Sequence, residues 1–468
     1  MSAMKIIEYI KKVKRIINSF DSFESGLHDL RIRIVDIQDR TYDAISQSRN
    51  TEYEILNSIK LSRLKDEIRH GKTQVKVVFL LGVLEKFEFA SVYDAMLQNP
   101  KFDPVIVVIS DRDLIFSQHP GEYERALAAY DWVRNRGYNA LFAYDENGCG
   151  TSLWDLNPDI VFYNNPQLMQ YVQYPNYYIN ANWLSCYISY FMPVLKNDNY
   201  LYGNPNITSA WKVFCPTRQF YESYITRQVF NKTQYYTFNG SNAVLTGYPK
   251  LDSYVSPLDL SKLPEGLCNK PIVIVAPHGN IRFDINIATF HLYYKKFMQL
   301  LDDFPDVNFV FKPHPNLKNR IREMEKLSED CPLTAKEYEE YLLTWESKPN
   351  GFIITSGDYI DLFRVSSVLI TDSGSFINEY LPSGHPCIYL LNPENKDEMQ
   401  LFTDAAKDIL SSYYCCNDWG TARSWLEKIL AGIDPKREAR YIRAQSELGT
   451  VGGAGAKIVE HIRQCIFD

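Results

Sequence analysis

The sequence predicts an α/β protein made of two Rossmann-like domains and an N-terminal helical extension. Its 468 residues exceed the size at which a single hydrophobic core usually stops growing. Short apolar runs alternate with amphipathic stretches from residue 75 and again from residue 243, which is typical of parallel sheets with helical crossovers. Before them, residues 4–70 place apolar side chains at helical spacing. A content of 45% hydrophobic and 23% charged residues is typical of globular proteins.

The extension, residues 1–72, is predicted to contain one or two long helices. Its apolar positions recur every seven residues, at Val13, Phe20, Leu27 and Ile34. The partner positions of that repeat include Glu24 and Arg31, which do not fit a strict coiled coil. Oligomerisation through these helices and docking on the rest of the chain both stay open, and the expected assembly is a homo-oligomer.

The start of the extension also combines basic side chains with isoleucines. The residues are Lys5, Lys11, Lys12, Lys14 and Arg15, beside Ile6, Ile7, Ile10 and Ile17. Such a segment can lie on an anionic membrane surface or form a solvated basic helix face. The chain has no run of the ~20 apolar residues that span a bilayer, and its nine Cys show no CxxC pair, which favours a reducing compartment. We therefore expect a cytoplasmic protein, with peripheral contact at the inner face of the cell membrane as a second hypothesis.

The first Rossmann-like domain is predicted over residues 73–238. Its strands include VKVVFLL (75–81), PVIVVIS (104–110) and DIVFY (159–163), with helices over 89–98 and 120–136. Short β-rich runs separated by helical segments of this length indicate βαβ units and a parallel sheet.

The second Rossmann-like domain is predicted over residues 239–435. Its strands are AVLTGYP (243–249), PIVIVAP (271–277), VNFVFKPHP (307–315), GFIITS (351–356), SSVLITDSGS (366–375) and PCIYL (386–390). The tail, residues 436–468, is predicted to be helical, with a Gly-rich break at 449–455 that lets the last helix cross back to the first domain.

The most informative segment is SSVLITDSGSFINEYL, residues 366–381. An apolar strand is followed directly by Asp372, Ser373, Gly374 and Ser375 and then by a helical pattern. Small residues at such a turn leave backbone N–H groups unobstructed, and the helix start adds partial positive charge, so a phosphate can bind there. Asp372 and Ser373 can equally serve as ordinary helix caps.

A second segment, FVFKPHP (309–315), ends an apolar strand in Lys312 and His314 between prolines. Both side chains are expected at the carboxyl end of the sheet, where open α/β sheets bind ligands. There they can hold a pyrophosphate and stabilise its departing charge. The alternative is a kinked loop with one surface lysine.

A third segment, VIVAPHGNIR (273–282), places His278, Gly279 and Arg282 after another predicted strand. A histidine can transfer protons near neutral pH, and the arginine fork matches two phosphate oxygens. Although a lone histidine is more often structural, three strand ends here present polar or cationic groups to one crevice. The fourth segment, LTGYPKLD (245–252), carries Gly247, Lys250 and Asp252 after a strand, and binding and ordinary loop roles are equally open for it.

Together and in this order, the four segments resemble the CDP-glycerol glycerophosphotransferase family, the teichoic-acid primases and polymerases, over about residues 240–400. The family's TGxPRxD-like, APH-like, K-x-HP and TDYSS-like motifs read here as TGYPKLD, APHGNIR, KPHP and TDSGS. The resemblance implies the glycosyltransferase B (GT-B) architecture, which contains two Rossmann-like domains.

The resemblance also implies that these segments surround the donor nucleotide and its phosphates. The implied catalytic residues are His314, on the pyrophosphate, Lys312 and His278. The implied donor-binding residues are Gly247, Lys250, Arg282, Asp372, Ser373, Gly374 and Ser375. Gly374 stands where the family often has the first of two paired serines, which removes one hydroxyl and leaves the donor head group open.

The first domain departs from the family pattern. The family's WHG-like segment, whose histidine is the presumed base for the acceptor hydroxyl, corresponds to NWLSCYISYFMP (182–193), which contains no histidine. A divergent branch carries a CYIPYGF-like segment that CYISYFM resembles. By that likeness Tyr187 and Tyr190 shape the acceptor site, and His278 is the candidate base across the crevice.

The implied reaction transfers glycerol phosphate, or a related alditol phosphate, from a CDP-activated donor such as CDP-glycerol to an acceptor hydroxyl. CMP is released, and Lys312, His314, Arg282 and the helix at 374 offset its charge. We therefore expect no metal and no cofactor beyond the nucleotide substrate. The sequence Asp111-Arg112-Asp113 imitates the DxD of metal-dependent transferases, but it lies in the first half and is typical of a solvated loop or a helix start.

The expected partners are the nucleotide-activated donor and a glycan or lipid-linked acceptor in the synthesis of teichoic acid or capsule. The net charge of −7 argues against a nucleic-acid partner, because phosphate-backbone binding requires a surplus of clustered Lys and Arg. Two alternatives stay open: a GT-B glycosyltransferase that uses a nucleotide-sugar for a surface polysaccharide, and an inactive scaffold that binds partners.

Overall fold

The computed structural model describes residues 52–468 with the exception of 83, 85–86, 110–121, 144–150, 166–173, 175, 197–204, 226–239, 280, 282–284, 328–331 and 356. Two parallel sheets, of seven and six strands, organise this part of the chain. The predicted α/β architecture with two Rossmann-like domains is confirmed. The expectations for residues 1–51, for Asp111 to Asp113 and for Arg282 fall outside the described residues.

The first sheet has the strand order β3-β2-β1-β4-β5-β6-β7, with all neighbours parallel. Its strands are β1 (Val75–Leu81), β2 (Phe102–Val108), β3 (Ala140–Phe142), β4 (Ile160–Tyr163), β5 (Leu184–Ile188), β6 (Lys212–Cys215) and β7 (Ala243–Leu245). Residues 243–249 were predicted to belong to the second domain. In the structure, β7 lies in the first sheet instead, where it pairs with β6 and Ala243 is opposite Val213. Short apolar strands of different sheets look alike in sequence. Only the strand with which each one pairs shows to which sheet it belongs.

Helices connect these strands. They are α1 (52–69), α2 (Ala90–Leu97), α3 (Glu122–Asn135), α4 (Leu153–Leu156), α5 (Asn176–Asn182), α6 (Pro205–Thr208) and α7 (Arg218–Ile225). A 3-10 turn over Pro249–Tyr254 follows β7 and leads towards the second sheet.

The second sheet has the order β10-β9-β8-β11-β12-β13, again parallel throughout. Its strands are β8 (Ile272–Ala276), β9 (Asn308–Phe311), β10 (Gly351–Ile353), β11 (Val368–Thr371), β12 (Cys387–Leu390) and β13 (Tyr414–Cys416). The helices of this half and of the tail are α8 (Phe290–Asp303), α9 (Leu317–Leu327), α10 (Ala335–Ser347), α11 (Ile360–Val365), α12 (Gly374–Tyr380), α13 (Glu398–Leu401), α14 (Asp404–Ser411), α15 (Trp419–Leu430), α16 (Arg437–Leu448) and α17 (Ala454–Phe467).

Both faces of each sheet are covered by apolar side chains. Along β1, Val77 and Phe79 join the core on one face, whereas Val78 and Leu80 join the core on the other. The second sheet is covered on both faces in the same way. Because the faces are filled, polar ligands can approach such sheets only at the strand ends.

The last helix, α17, belongs to the core of the first half. Ile458 and Ile462 pack in the same cluster as the strands of the first sheet. Asp252 fixes the start of this helix, because its two carboxylate oxygens accept the N–H groups of Ala454 at 2.9 Å and Gly455 at 2.8 Å. The segment LTGYPKLD thus ties the tail of the chain to the point where the two halves meet.

Helix α1 packs on the first half through its C-terminal part. Leu64 is 3% exposed and belongs to the first core. The ammonium of Lys60 donates to the carbonyls of Asn180 at 2.6 Å and Trp183 at 2.7 Å. No helix in the described ranges combines the length and apolar composition that spanning a membrane requires.

Candidate functional site

Three neighbouring strands of the second sheet end side by side. Strand β8 lies between β9 and β11, with Val275 opposite Phe311 and Ala276 opposite Thr371. The residues that follow these strands therefore meet at one edge, and backbone hydrogen bonds continue past the strands, from Lys312 N–H to the Val275 carbonyl at 2.9 Å. The structure brings together the segments at 277–279, 312–314 and 372–375 as the sequence predicts.

Two histidines face each other at this edge. The rings of His278 and His314 have centroids 5.0 Å apart and an interplanar angle of 61°. The pKa of His278 is lowered to about 3 and that of His314 to about 4, mainly by burial and in smaller part by nearby positive charge, including that of Arg320. Both imidazoles are therefore neutral near pH 7.

The orientation of His314 follows from its backbone contacts. Its Nδ1 lies 3.1 Å from the N–H of Asn316, which donates to it, so the neutral ring carries its proton on Nε2. Gly279 leaves room for this ring, because a Cβ at that position would lie 2.9 Å from His314 Nδ1. His314 thus offers a directed N–H donor rather than a charge.

Asp372 acts as a brace for the adjacent loop. Its Oδ1 accepts the N–H of His278 at 2.5 Å, and its Oδ2 accepts the N–H of Thr289 at 2.5 Å and the Thr289 hydroxyl at 2.8 Å. Burial raises the pKa of this carboxyl to about 6, against the effect of these hydrogen bonds. Asp372 therefore positions the loop that carries His278, and both of its oxygens are already occupied by protein donors.

The start of α12 lies against the first half. Gly374 is buried, and a Cβ there would meet Val194 Cγ2 at 2.8 Å. The backbone of Val194 accepts the N–H of Thr403 at 2.9 Å, and Leu195 forms an antiparallel bridge with Phe402. A larger residue at 374 would thus have to displace Val194, at a contact between the two halves.

The serines on either side of Gly374 differ in their surroundings. Ser373 is 4% exposed and precedes α12 without a side-chain capping bond, and its N–H donates to the Thr371 hydroxyl at 3.0 Å. Ser375 is half-buried in the first turn of α12. Both residues follow β11, which pairs with β8, the strand that precedes His278.

Lys312 belongs to a buried group of charges that the sequence did not reveal. It is 6% exposed, and its Nζ lies 4.4 Å from the centre of the Tyr359 ring. Lys250 Nζ lies at the same distance, 4.4 Å, from that ring. The Tyr359 hydroxyl donates to Glu379 at the end of α12. An aromatic ring this close to two ammonium groups stabilises both by a cation–π interaction.

Lys250 connects this group to the first half. Its Nζ lies 3.1 Å from Glu88 Oε1 and 3.9 Å from Glu379 Oε2. Burial opposes its charge, but the two carboxylates raise the pKa of Lys250 well above its ordinary value. Lys250 thus lies in the region that the sequence predicted, with two carboxylates as its contacts.

The remaining predicted residues lie elsewhere. Gly247 has a φ of +91°, which favours glycine, and it precedes the turn that carries Lys250. Tyr187 is fully buried in the core of the first half, with its ring 5.7 Å from that of Tyr163. Tyr190 is half-buried, and its carbonyl accepts the Tyr248 hydroxyl at 2.9 Å. Of the two tyrosines, Tyr187 is closed off from solvent and Tyr190 is partly open to it.

Sequence reasoning missed Glu88, Tyr359 and Glu379. The signal for Glu88 was present, because a single carboxylate stands between Phe87 and Phe89 just after the first strand. No local pattern marks Tyr359 or Glu379, whose roles depend on contacts distant in sequence. Among the described residues, no group of three or more His, Cys, Asp and Glu side chains is arranged to hold a metal ion.

Comparison with known proteins gives matches in structure. No family model matches the chain, and no curated protein matches it in sequence. The S. aureus protein MnaA, solved with UDP, has 13% identity and a TM-score of 0.52, and the match covers 84% of this chain and 98% of MnaA. A putative UDP-N-acetylglucosamine 2-epimerase from Listeria monocytogenes also has 13% identity and a TM-score of 0.52, covering 84% of this chain and 96% of that one.

A variant of the wall teichoic acid polymerase TagF is similar over a longer part of the chain. It has 16% identity and a TM-score of 0.50, and the match covers 90% of this chain and 98% of that one. Identities this low show a shared fold. The two parallel sheets and these likenesses establish that the chain has the two-domain GT-B architecture.

Proposed function

We propose that the protein transfers glycerol phosphate, or a related alditol phosphate, from a CDP-activated donor to an acceptor hydroxyl in the synthesis of a bacterial cell-surface polymer. The observation that carries this proposal is the meeting of Lys312, His278, His314 and the start of α12 at one sheet edge. The fold likeness to TagF, a wall teichoic acid polymerase, supports the same conclusion.

The site suits a diphosphate because it supplies both charge and directed donors. Lys312 gives a positive charge, and His314 Nε2–H gives a hydrogen bond without a proton that titrates near pH 7. Ser373, Ser375 and the backbone N–H groups at the start of α12 add further donors. These groups are most useful on the leaving CMP, where negative charge develops.

In the proposed reaction the acceptor oxygen attacks the β-phosphorus of the donor. A new P–O bond forms to the acceptor, and the bond from that phosphorus to the bridging oxygen breaks, which leaves its electron pair on CMP. The acceptor proton must leave at the same time. His278 is a poor group for that proton, because burial holds its pKa at about 3.

A second candidate is a reaction of a UDP-sugar. The likenesses to MnaA with UDP and to the putative UDP-N-acetylglucosamine 2-epimerase favour this candidate, at slightly higher TM-scores than that of TagF. The same cations and helix start can hold the diphosphate of a nucleotide-sugar. An inactive scaffold is the third candidate, and it predicts no turnover of any of these donors.

A ligand panel separates the candidates. CDP-glycerol, CDP-ribitol, UDP-N-acetylglucosamine and UDP are each tested for protection of the chain against thermal unfolding, because a ligand that binds only the native state raises its apparent stability. The protecting compounds are then incubated with the protein, and CMP, UDP and epimerised sugar are quantified. Protection by a CDP-alcohol with release of CMP supports the proposal. Protection by UDP-N-acetylglucosamine alone contradicts it.

A further inference from the structure

A cavity of about 320 Å³ lies where the two halves meet, beside the buried charges described above. The first half contributes the loop after β1, the start of α2 and the end of α3, and the second half contributes residues 357–361. The turn at Pro249–Tyr254 forms the wall between them. A volume of this size is in the range of small-molecule sites.

Glu88 lines this cavity, and only one of its two carboxylate oxygens has a close partner. The residue is 1% exposed, and its Oε1 lies 3.1 Å from Lys250 Nζ. Its Oε2 is buried and accepts no hydrogen bond of ordinary geometry within the described ranges, and the Tyr248 hydroxyl lies near the carboxyl. A buried carboxylate oxygen without a donor is costly, which indicates that a ligand or solvent supplies one.

The charges around Glu88 keep its proton exchangeable near neutral pH. Burial raises the pKa of Glu88 to about 7, because Lys250 offsets only part of the desolvation and Glu379 adds a second negative charge. The other titratable groups that face it are the phenols of Tyr248 and Tyr359, and Asp94 of α2 lines the same cavity. A carboxylate with such a pKa accepts a proton more readily than a histidine held at about 3.

The rest of the cavity wall suits a neutral, hydroxyl-bearing group. Phe87 makes edge contacts with Trp132 and Tyr138, at centroid distances of 5.5 Å in both cases, and forms an aromatic wall. Ser253 and Ser256 also line the cavity, and so do four charged residues that form ion pairs with one another, Arg136, Lys262, Asp358 and Asp361. Because both cations are already paired with carboxylates, this wall fits a neutral polyol or sugar end better than it fits a phosphate.

The Tyr359 ring links this cavity to the donor site. Lys250, which pairs with Glu88, and Lys312, at the strand end, both lie 4.4 Å from the centre of that ring. An acceptor in the cavity and a donor on Lys312 thus occupy neighbouring positions, on the first-half and second-half sides of one buried cluster.

We propose that this cavity binds the hydroxyl-bearing end of the acceptor and that Glu88 is the catalytic residue that accepts the hydroxyl proton. This inference rests on the proposed function. As the acceptor oxygen bonds to the β-phosphorus, its O–H bond breaks and the proton passes to Glu88 Oε2. CMP departs with the electron pair of the broken P–O bond, and Glu88 later returns the proton to water.

The test compares the full chain with Glu88→Gln, which keeps the shape of the side chain and removes its basicity. Donor binding is measured by protection with CDP-glycerol, and turnover by CMP release in the presence of a synthetic glycerol phosphate oligomer as the acceptor. We expect Glu88→Gln to be protected by CDP-glycerol as the full chain is, and to release CMP about 10²- to 10⁴-fold more slowly. The rate of the full chain should rise with pH through about 7, and that limb should be missing in Glu88→Gln.

A second variant, Glu88→Asp, keeps the carboxylate and its pairing with Lys250 but withdraws the oxygen by one methylene. We expect a slower rate that still rises with pH, which a purely structural role for Glu88 does not produce. This variant decides the matter if Glu88→Gln does not fold. A Glu88→Gln variant with the rate and pH profile of the full chain overturns the inference, as does a Glu88→Asp variant with an unchanged rate. If the full chain itself neither binds CDP-glycerol nor releases CMP, the proposed function fails instead.

Discussion

The rings of His278 and His314 meet edge to face, with centroids 5.0 Å apart, at the ends of adjacent strands. Each ring belongs to a different segment, and a separate contact fixes each one: the backbone of His278 donates to Asp372, and Nδ1 of His314 accepts from Asn316. The pair is neutral near pH 7, because burial lowers the pKa of both. The proposed role of His314 is therefore that of a hydrogen-bond donor to the leaving phosphate.

Replacing His314 with Ala should remove that donor and leave the fold intact. We expect CMP release to fall about 10²- to 10³-fold, as for other single donors to developing negative charge. The thermal midpoint should change little, since residue 314 lies at a strand end and outside the apolar clusters of the two sheets. His70→Ala is the matched control, because His70 is exposed at the end of α1. Near-normal turnover by His314→Ala, with the control unchanged, contradicts the role of His314.

The contact between Gly374 and Val194 gives a test of how the halves pack. A methyl group at 374 would lie 2.8 Å from Val194 Cγ2, so Gly374→Ala should lower the free energy of unfolding by about 1–3 kcal/mol. Adding Val194→Ala should recover part of that loss, because it removes the clashing methyl. Chemical denaturation of the two single variants and the double variant measures this coupling. Strict additivity means that the contact is absent in solution.

Lys250→Met should destabilise the chain in a pH-dependent way. The change leaves Glu88 and Glu379 buried without their shared cation, at a cost of about 3–5 kcal/mol when both are ionised. Because the pKa of Glu88 is raised above its unfolded value, Glu88 in the native state is protonated below pH about 7. Loss of Lys250 should therefore cost more at pH 8 than at pH 5.

Urea unfolding at the two pH values provides this measurement. Lys407→Met is the control, since Lys407 is only partly buried and pairs with Asp404 on the surface of α14, where such pairs contribute less than about 1 kcal/mol. The double variant Glu88→Gln/Lys250→Met should recover stability at pH 8. Equal losses of stability at pH 5 and pH 8 would contradict a buried ion pair between Lys250 and Glu88.

Much of the second half could be predicted from its sequence, for an identifiable physical reason. Apolar strands that end in KPHP, APHG and TDSGS must place those residues at one sheet edge once the strands are parallel and adjacent. The convergence of Lys312, His278, His314 and Ser373 follows from this rule. The neutral state of the two histidines could not be predicted from this rule, because it depends on burial by the surrounding loops and on the charge of Arg320.

Contacts between segments distant in sequence could not be predicted. Strand β7 reads as part of the second domain but completes the first sheet, because pairing is not encoded in its short apolar run. Asp372 looks like a ligand for a phosphate, yet its oxygens are occupied by Thr289 and the backbone of His278. Glu88 and Glu379 are distant in sequence, and Lys250 contacts both carboxylates.

Two N-terminal truncations should behave differently. Removal of residues 1–65 takes away Lys60 and Leu64, which bind and pack on the first half, and should lower the free energy of unfolding by several kcal/mol, about 2–5 for Leu64 alone. Removal of residues 1–51 retains these contacts. We expect it to keep the thermal midpoint and the rate of CMP release, and to change oligomer size or recovery with anionic vesicles. Equal loss of stability in both truncations contradicts this division of the chain.

The most direct test of the donor site is calorimetric titration of CDP-glycerol into the full chain and into Lys312→Met. Lys312 supplies the positive charge at the strand ends, and a charge-assisted bond to phosphate contributes about 1.5–3 kcal/mol. The full chain should bind, Lys312→Met should bind roughly 10- to 100-fold more weakly, and Lys318→Met, a change at a partly exposed lysine of α9, should bind as the full chain does. Equal affinity of the Lys312→Met variant and the full chain, or no binding of CDP-glycerol by the full chain, contradicts the proposed site.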